Sequence, residues 1–189
     1  NIPNMVYLAP TTKEEHLAMV DWAIEQDKHP VAIRVPNMEV VSTGVAVEAN
    51  FDELNKYVMV EEGKDVAIIG LGSFFHLGKK VQERLRNTGI NATLINPRFI
   101  TGVDEDLLNE LKENHKVVIT LEDGILDGGF GEKISRFYGN SQMRVLNFGA
   151  TKEFTDSVEL DVLYERYHLT EELIVEDIEK VLADIKVFA

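Results

Sequence analysis

The turn Gly70-Leu71-Gly72 is the first candidate for ligand chemistry in this sequence. It follows an apolar run and precedes a helical stretch, which is where a dinucleotide-binding turn lies in a βαβ unit. The third glycine of that motif is replaced by Phe75, and Asn96 stands where an acidic residue should end the next strand. We therefore interpret the segment as a tight turn in which glycine relieves backbone crowding.

The second candidate is the glycine-rich turn Asp127–Gly131, which precedes a helix predicted to begin at Glu132. Backbone amides at a helix N-terminus bind anions, but glycines also allow close packing and positive φ angles. Four acidic residues surround the turn and would repel a phosphate: Glu122, Asp123, Asp127 and Glu132. The sequence therefore favours packing or a contact between subunits over anion binding.

The remaining polar residues form no recognisable catalytic pattern. His76 lies just after a strand, at the edge where open α/β sheets bind ligands, yet a lone histidine favours packing or solvation. Ser73 lacks the flanking glycines of a hydrolase nucleophile, and Glu122-Asp123 is typical of a solvated turn. No two of the five histidines are spaced as metal ligands on a helix: His16, His29, His76, His115 and His168. We therefore predict no catalytic residue and no metal ligand.

Arg34 is the cation with the most unusual setting. It lies in an apolar strand just before Pro36, where a charge needs a partner or a ligand. A structural salt bridge and a phosphate contact both satisfy that need, and the residue pattern does not separate them.

A βαβ unit is predicted at the start of the chain. Val6–Ala9 and Val31–Val35 are short apolar runs, each followed by a proline, and we expect two strands. Thr11 or Thr12 caps the helix between them, with Glu14 and Glu15 in its first turn. One such unit is too small to fold alone.

An α/β domain is predicted for the rest of the chain. Residues 37–56 lack periodicity and are interpreted as a connection, after which Tyr57–Val60 and Val66–Ile69 predict an edge hairpin leading into a central strand. Further strands are expected at Ala92–Ile95, Val117–Leu121 and Met143–Phe148, with helices at Gly78–Asn87, Asp104–Glu113, Glu132–Tyr138, Val158–Tyr167 and Thr170–Ile185. This alternation predicts a mostly parallel sheet flanked by helices.

The composition restricts the class of protein. The chain of 189 residues is 44% hydrophobic, enough for one domain or a small domain with part of another. A net charge of −14 would repel nucleic acid and anionic membranes. There are no cysteines, no apolar run of roughly 18 residues and no signal peptide. We expect a cytoplasmic protein, and because the chain starts without Met beside an apolar run, a piece of a longer one.

Five segments carry a family resemblance when taken in order: Asn1–Pro10 with Glu14-Glu15, Pro30–Pro36, Gly63–Gly72, Asn96–Ile100 with Asp104 and Leu107, and Leu121–Asp123 with Gly128–Gly131. Together they resemble the C-terminal part of transketolase-type thiamine-diphosphate enzymes. Among these enzymes they are most similar to 1-deoxy-D-xylulose-5-phosphate synthases.

The resemblance implies a dimeric three-domain enzyme of isoprenoid biosynthesis. Residues 1–38 would end the pyrimidine-binding domain, 39–60 would form a connection, and 61–189 would form the transketolase C-terminal domain. The enzyme would decarboxylate pyruvate and join the remainder to glyceraldehyde 3-phosphate. Thiamine diphosphate and Mg would be bound by the missing N-terminal part, so this chain alone would bind neither and be inactive. The implied partners are a second copy, that N-terminal part and small-molecule substrates.

The sequence departs from the family at the acceptor site. Arg34 matches the first arginine of the family's RYPRG motif, but the second, which holds the substrate phosphate, falls on Asn37, and the glycine falls on Met38. Replacing an arginine fork by a neutral amide costs on the order of 10²-fold in the acceptor step. Either another acceptor is used, another cation compensates, or the activity is altered. Arg34 is expected to be structural or close to the acceptor channel.

Three alternatives remain open: a transketolase acting on sugars, the β-subunit-like portion of a 2-oxoacid dehydrogenase, and a dimerisation module without chemistry. In each of them an incomplete βαβ unit leaves apolar surface exposed, so we expect self-association.

Overall fold

A computed structural model describes residues 2–37, 40–47 and 50–187, which form a small parallel sheet and a larger mixed sheet. In the small unit, β1 (Val6–Leu8) and β2 (Val31–Ile33) pair in parallel and α1 (Lys13–Glu25) connects them. The Thr12 hydroxyl accepts a hydrogen bond from the Glu15 amide at 3.1 Å and so begins the helix. The predicted βαβ unit is confirmed, with a second strand two residues shorter than expected.

The larger sheet has five strands in the order β3-β5-β4-β6-β7. These are β3 (Val58–Glu61), β4 (Asp65–Gly70), β5 (Thr93–Asn96), β6 (His115–Ile125) and β7 (Arg144–Ala150). Helices follow as α2 (Phe75–Asn87), α3 (Glu105–Asn114), α4 (Phe130–Tyr138), α5 (Leu160–Arg166) and α6 (Glu171–Val187). Apart from the edge strand β3, all pairings are parallel, which confirms the predicted fold class.

The predicted edge hairpin is wrong. Strand β3 is an edge strand, but it pairs antiparallel with β5 and not with β4. Both edges of β4 are paired with the parallel strands β5 and β6, so neither edge is free for β3. Gly63, between β3 and β4, holds the chain close to β5. Its amide donates to the Thr93 hydroxyl at 2.8 Å, and a Cβ at this position would lie 2.2 Å from the Asn91 carbonyl oxygen.

Alternating side chains of the central strands enter two cores. Val66 and Ile68 of β4 face a cluster that also contains residues of α2 and α6, whereas Ala67 and Ile69 face residues of α3 and α4. Each fully buried aliphatic side chain contributes about 1.5–3 kcal/mol. The two helical layers therefore hold the sheet rigid and fix the positions of the loops at both of its edges.

A third core joins the small unit to the larger sheet. Met19 and Trp22 of α1 pack with Phe51 from the connection and Phe99 from the loop after β5. The Trp22 indole also donates to Asp52 at 2.9 Å. The connection is therefore packed against both parts over residues 50–56. The predicted domain boundary at 38/39 and Glu48 of the acidic stretch lie outside the described residues.

Candidate functional site

The carboxyl ends of β4 and β6 form the position at which an open α/β sheet binds ligands. Strand β4 is followed by α2 on one face and β6 is followed by α4 on the other, so the chain leaves these neighbouring strands in opposite directions. Here the small unit covers that position. Between the parts, the described residues leave two cavities of about 30 Å³ and 10 Å³, which share the lining residues Pro10, Pro36 and Ser73. A small-molecule site needs about 300 Å³ or more, so the described residues of this edge do not enclose one.

The Gly70–Gly72 turn is a packing turn, as interpreted from the sequence. A Cβ on Gly70 would lie 2.6 Å from the Phe75 Cα, and Gly72 has a φ of +56°. The Leu71 amide donates to the Leu121 carbonyl at 2.9 Å, which holds the turn against β6. The crowding leaves no space for a diphosphate to approach the backbone.

His76 connects the turn region to the small unit. Its Nε2 lies 2.7 Å from the Thr11 carbonyl oxygen, so Nε2 carries the hydrogen and donates it. The ring thereby links the start of α2 to the segment just before α1. The packing role predicted for this histidine is supported by the contact.

The Asp127–Gly131 turn also has a structural role, because the helix that follows it is capped by a carboxylate of the chain itself. Glu122 is almost fully buried and accepts hydrogen bonds from the amides of Phe130 at 2.9 Å and Gly131 at 2.8 Å. A Cβ on Gly129 would lie 2.7 Å from both carboxylate oxygens. The positive end of α4 is therefore already neutralised, which leaves no place for a bound anion. The expected contact between subunits at this turn stays a prediction.

Glu122 corrects one expectation. The sequence pattern Glu122-Asp123 was interpreted as a solvated turn, but only Asp123 is exposed. Strand β6 continues to Ile125, so Glu122 lies within its last four residues, points inward and reaches the α4 amides. The sequence does not reveal whether a polar residue near the end of a strand faces solvent or the interior. Here the glycine-rich turn brings α4 over Glu122, and that packing decides it.

Arg34 lies over the carboxyl end of β6. Its amide donates to the Leu8 carbonyl at 2.8 Å, and its Nη2 lies 3.8 Å from the Asp123 carboxylate. The side chain is 34% exposed, and such a long, exposed ion pair contributes at most about 1 kcal/mol. Asp123 is therefore the partner that a structural salt bridge of Arg34 requires. Contact between Arg34 and a phosphate stays a prediction.

Asn37 is an exposed residue in a bend directly after Pro36. Because Pro36 lines both small cavities, Asn37 lies next to the region where the small unit covers the carboxyl ends of β4 and β6. Met38, at the family's glycine position, lies outside the described residues. The suggested acceptor role of Asn37 stays a prediction.

Sequence reasoning missed a buried polar cluster centred on Glu15. The Glu15 carboxylate is 2% exposed and accepts from the Thr11 amide at 2.8 Å, the Thr11 hydroxyl at 2.9 Å, Asn96 Nδ2 at 3.0 Å and Arg98 Nε at 2.8 Å. Arg98 has a φ of 58° and its guanidinium lies 5.4 Å from the centre of the Phe51 ring. The cluster therefore pins the small unit to the end of β5.

The described histidine, aspartate and glutamate side chains include no group of three or more that could hold a metal ion. The Thr93 hydroxyl and the Leu111 carbonyl hold His115, while His168 pairs with Asp177 at 2.7 Å. Within the same part of the chain, no helix has the length and apolar character required to cross a bilayer.

Comparison with known families gives a match that includes all five strands of the larger sheet. Residues 55–174 match the family described as "Transketolase, C-terminal domain". The 1-deoxy-D-xylulose-5-phosphate synthase of Clostridium tetani is 33% identical over 184 residues, which are 96% of this chain and 29% of that protein. The protein of the same name from Lysinibacillus sphaericus is 30% identical over 91% of this chain and 28% of its own length. The chain thus spans about three tenths of these curated relatives.

Two solved structures have the same fold. One, titled "Split gene transketolase, inactive beta4 tetramer", has a TM-score of 0.79 and 28% identity, covering 96% of this chain and 59% of that chain. A transketolase mutant from Pichia stipitis has a TM-score of 0.63 at 16% identity, covering 96% of this chain and 25% of that chain, and this likeness concerns the fold alone.

Proposed function

The chain belongs to the transketolase C-terminal domain family, and on that premise we propose that it is the C-terminal part of an enzyme of the 1-deoxy-D-xylulose-5-phosphate synthase type. The carrying observation is the extent of the match to relatives of that name. They align with 96% and 91% of the chain, so the match extends beyond residues 55–174 into the small unit or the connection. The domain limits 1–38, 39–60 and 61–189 belong to the same proposal.

The proposed reaction breaks the bond between the carboxylate and carbonyl carbons of pyruvate, releases CO₂, and joins the two-carbon remainder to glyceraldehyde 3-phosphate. When bound, thiamine diphosphate supplies an electron sink for the electron pair left by CO₂. Neither glycine turn of this chain fits a diphosphate, because Phe75 crowds the first and Glu122 occupies the helix end at the second. We therefore assign thiamine diphosphate and Mg to parts of the protein outside this chain.

The role proposed for this chain is to hold the small unit, and with it the acceptor side of the catalytic domain, against a rigid sheet. Glu15 and Arg98 fix α1 to the end of β5 at 2.8 Å. Arg34 then stands at the carboxyl end of β6, and Asn37 follows on the exposed bend. In this proposal Arg34 is structural or borders the acceptor channel, and Asn37 weakens the hold on an acceptor phosphate.

The proposed partners are a second copy of the chain and the N-terminal part of the same protein. Two features support them. A two-stranded sheet such as β1–β2 is marginal by itself, and the small unit exposes large apolar side chains, with Ile24 76% and Leu17 52% exposed. We propose that the chain alone is inactive and that the complete protein is cytoplasmic.

A second candidate, a transketolase encoded in separate parts, is favoured by the solved structure whose title names a split-gene transketolase. That activity would transfer a two-carbon unit between sugars and release no CO₂. The 2-oxoacid dehydrogenase and dimerisation-module alternatives stay predictions.

The test uses the complete protein, this chain together with its N-terminal part, with thiamine diphosphate and Mg. CO₂ release from pyruvate is measured with and without glyceraldehyde 3-phosphate, and products are identified by mass spectrometry. Deoxyxylulose phosphate is the expected product. Transfer from a ketose phosphate without CO₂ release would instead establish the second candidate, and failure to bind the cofactor at all would contradict both.

A further inference from the structure

A groove of about 520 Å³ lies at the amino ends of β6 and β7, the edge of the sheet opposite the small unit. Lys112 in the last turn of α3, Lys116 near the start of β6 and Arg144 at the start of β7 line it. Its volume is within the range of about 300–1,000 Å³ that small-molecule sites occupy.

The charge of this groove is opposite to that of the chain. The net charge is −14, with 33 acidic residues against 19 basic ones. Yet within the described part of the chain, none of the side chains lining the groove is an aspartate or a glutamate, while three are cations. A cleft lined by one sign of charge concentrates ligands of the opposite sign.

An adjoining groove of the same volume, about 520 Å³, provides an internal comparison. It shares Lys116 and Ile185 with the first groove, and its lining includes Asp65 and Glu179. Lys116 pairs with Asp65 at 3.0 Å on that side. Size therefore does not distinguish the two grooves, and charge selects the one with Lys112 and Arg144 for an anion.

Of the three cations in the selected groove, Lys116 is already paired with Asp65, whereas Lys112 and Arg144 keep their charge available. Arg144 is exposed and has no ion-pair partner among the described side chains. Lys112 has neutral neighbours, since it donates to Asn109 Oδ1 at 2.7 Å and its Nζ lies 4.7 Å from the centre of the Phe137 ring. His115 adds no charge at neutral pH, because burial lowers its pKa.

Some of the positive charge in this groove balances the negative ends of nearby helices. The carboxyl ends of α3, α4 and α6 lie at this edge, and each carries the equivalent of about half a negative charge. One or two lysines suffice to balance them, and the effect fades within a turn. Lys112 and Arg144 supply two full positive charges besides the paired Lys116, which exceeds the partial charges of the helix ends, so the groove retains an attraction for anions.

We propose that this groove binds a phosphate-bearing small molecule of about nucleotide size, independently of the proposed function. The guanidinium of Arg144 forms a two-pronged contact with the phosphate, and Lys112 adds a point charge. Met143 and Ile185 provide an apolar surface for the rest of the ligand. The site lies across the sheet from the covered carboxyl edge, so binding there leaves the proposed catalytic side free.

The test is isothermal titration calorimetry of the 189-residue chain with ADP as the probe, pyrophosphate as competitor and adenosine as the phosphate-free control. We expect one ADP per chain, displaced by pyrophosphate, with affinity that falls as salt is raised. Arg144→Gln should weaken binding at least tenfold and Arg144→Lys less. Lys79→Gln, an exposed lysine on α2, serves as the matched control and should change nothing.

No ADP binding would overturn the proposal, and so would binding that Arg144→Gln leaves intact or that adenosine matches. Thermal unfolding followed by circular dichroism checks that each variant is folded. A failure here leaves the proposed function untouched, because that proposal is tested by product formation in the complete protein.

Discussion

At the residue scale, Asn37 is the position at which this chain differs most from the pattern it resembles. The resemblance implies an arginine fork for the acceptor phosphate at this position, whereas asparagine offers one neutral amide group. The residue is exposed, so a larger side chain fits without disturbing the core. Substitution therefore probes function with little effect on stability.

We expect Asn37→Arg to lower the KM for glyceraldehyde 3-phosphate about tenfold in the complete protein, because a charged bidentate contact adds roughly 1.4 kcal/mol or more. Steady-state kinetics with varied acceptor measure this, and decarboxylation of pyruvate without acceptor should be unchanged. Asn37→Gln is the matched control. An unchanged KM would mean that the acceptor phosphate does not reach this bend.

Arg98 is the second residue of consequence, because its partner Glu15 has no access to water. Removing the guanidinium leaves a buried carboxylate with only neutral donors, from Thr11 and Asn96. Removing one partner of a buried ion pair costs about 3–5 kcal/mol, whereas an exposed pair contributes about 1 kcal/mol or less.

We therefore expect Arg98→Ala to lower the free energy of unfolding in urea by about 3–5 kcal/mol. The control is Arg84→Ala, which breaks an exposed contact with Glu172 at 2.9 Å and should cost less than about 1 kcal/mol. Equal losses in the two variants would show that the Glu15 cluster does not pin the small unit.

At the scale of elements, His115 links the start of β6 to β5 and α3. The Leu111 carbonyl accepts at 3.1 Å from Nδ1–H, so Nε2 is the acceptor for the Thr93 hydroxyl at 2.8 Å. The same hydroxyl oxygen accepts from the Gly63 amide at 2.8 Å, which ties in the connection between β3 and β4. A proton on Nε2 would break this chain of bonds.

Burial lowers the pKa of His115 below its ordinary value of 6.5. Below that pH the unfolded chain binds a proton that the folded chain resists, so the neutral ring's contribution to stability is present above pH 6.5 and is lost as pH falls toward the folded pKa. Urea midpoints measured between pH 5 and 8 should fall with acidification more in the parent chain than in His115→Gln. His29→Gln, a control in the small unit away from β6, should follow the parent.

At the scale of the whole molecule, the small unit is the part that needs a partner. Its sheet has two strands, and its helix α1 exposes Leu17 and Ile24 while burying Met19 and Trp22 on the opposite side. A helix that is apolar on both sides packs between two layers, and the described residues of this chain provide only one of them.

We expect the chain to self-associate in sedimentation velocity, and Ile24→Glu to shift it toward monomer, because a charge on that side opposes burial. Val60→Glu, on the exposed face of edge strand β3, is the matched control and should leave association unchanged. A clean monomer for the parent chain would contradict the expectation.

The amino-acid sequence by itself determined the elements and the family. Apolar runs ended by proline or glycine and capped helices are local signals, so Thr12, Asp104 and Gly89 marked element ends near where the structure has them. The motifs in order then identified the transketolase C-terminal fold. The predicted pairing of β3 with β4 was wrong, because both edges of β4 are occupied by other strands and β3 pairs with β5.

Only the tertiary structure decided what the polar residues do. Glu15 and Arg98 are 83 residues apart and meet because the small unit packs on β5, and Glu122 caps α4 because a glycine-rich turn brings that helix over the end of β6. The basic groove is likewise assembled from α3, β6 and β7. Residue spacing reports the period of one element, whereas a site depends on distances between elements, which are set by packing of the cores.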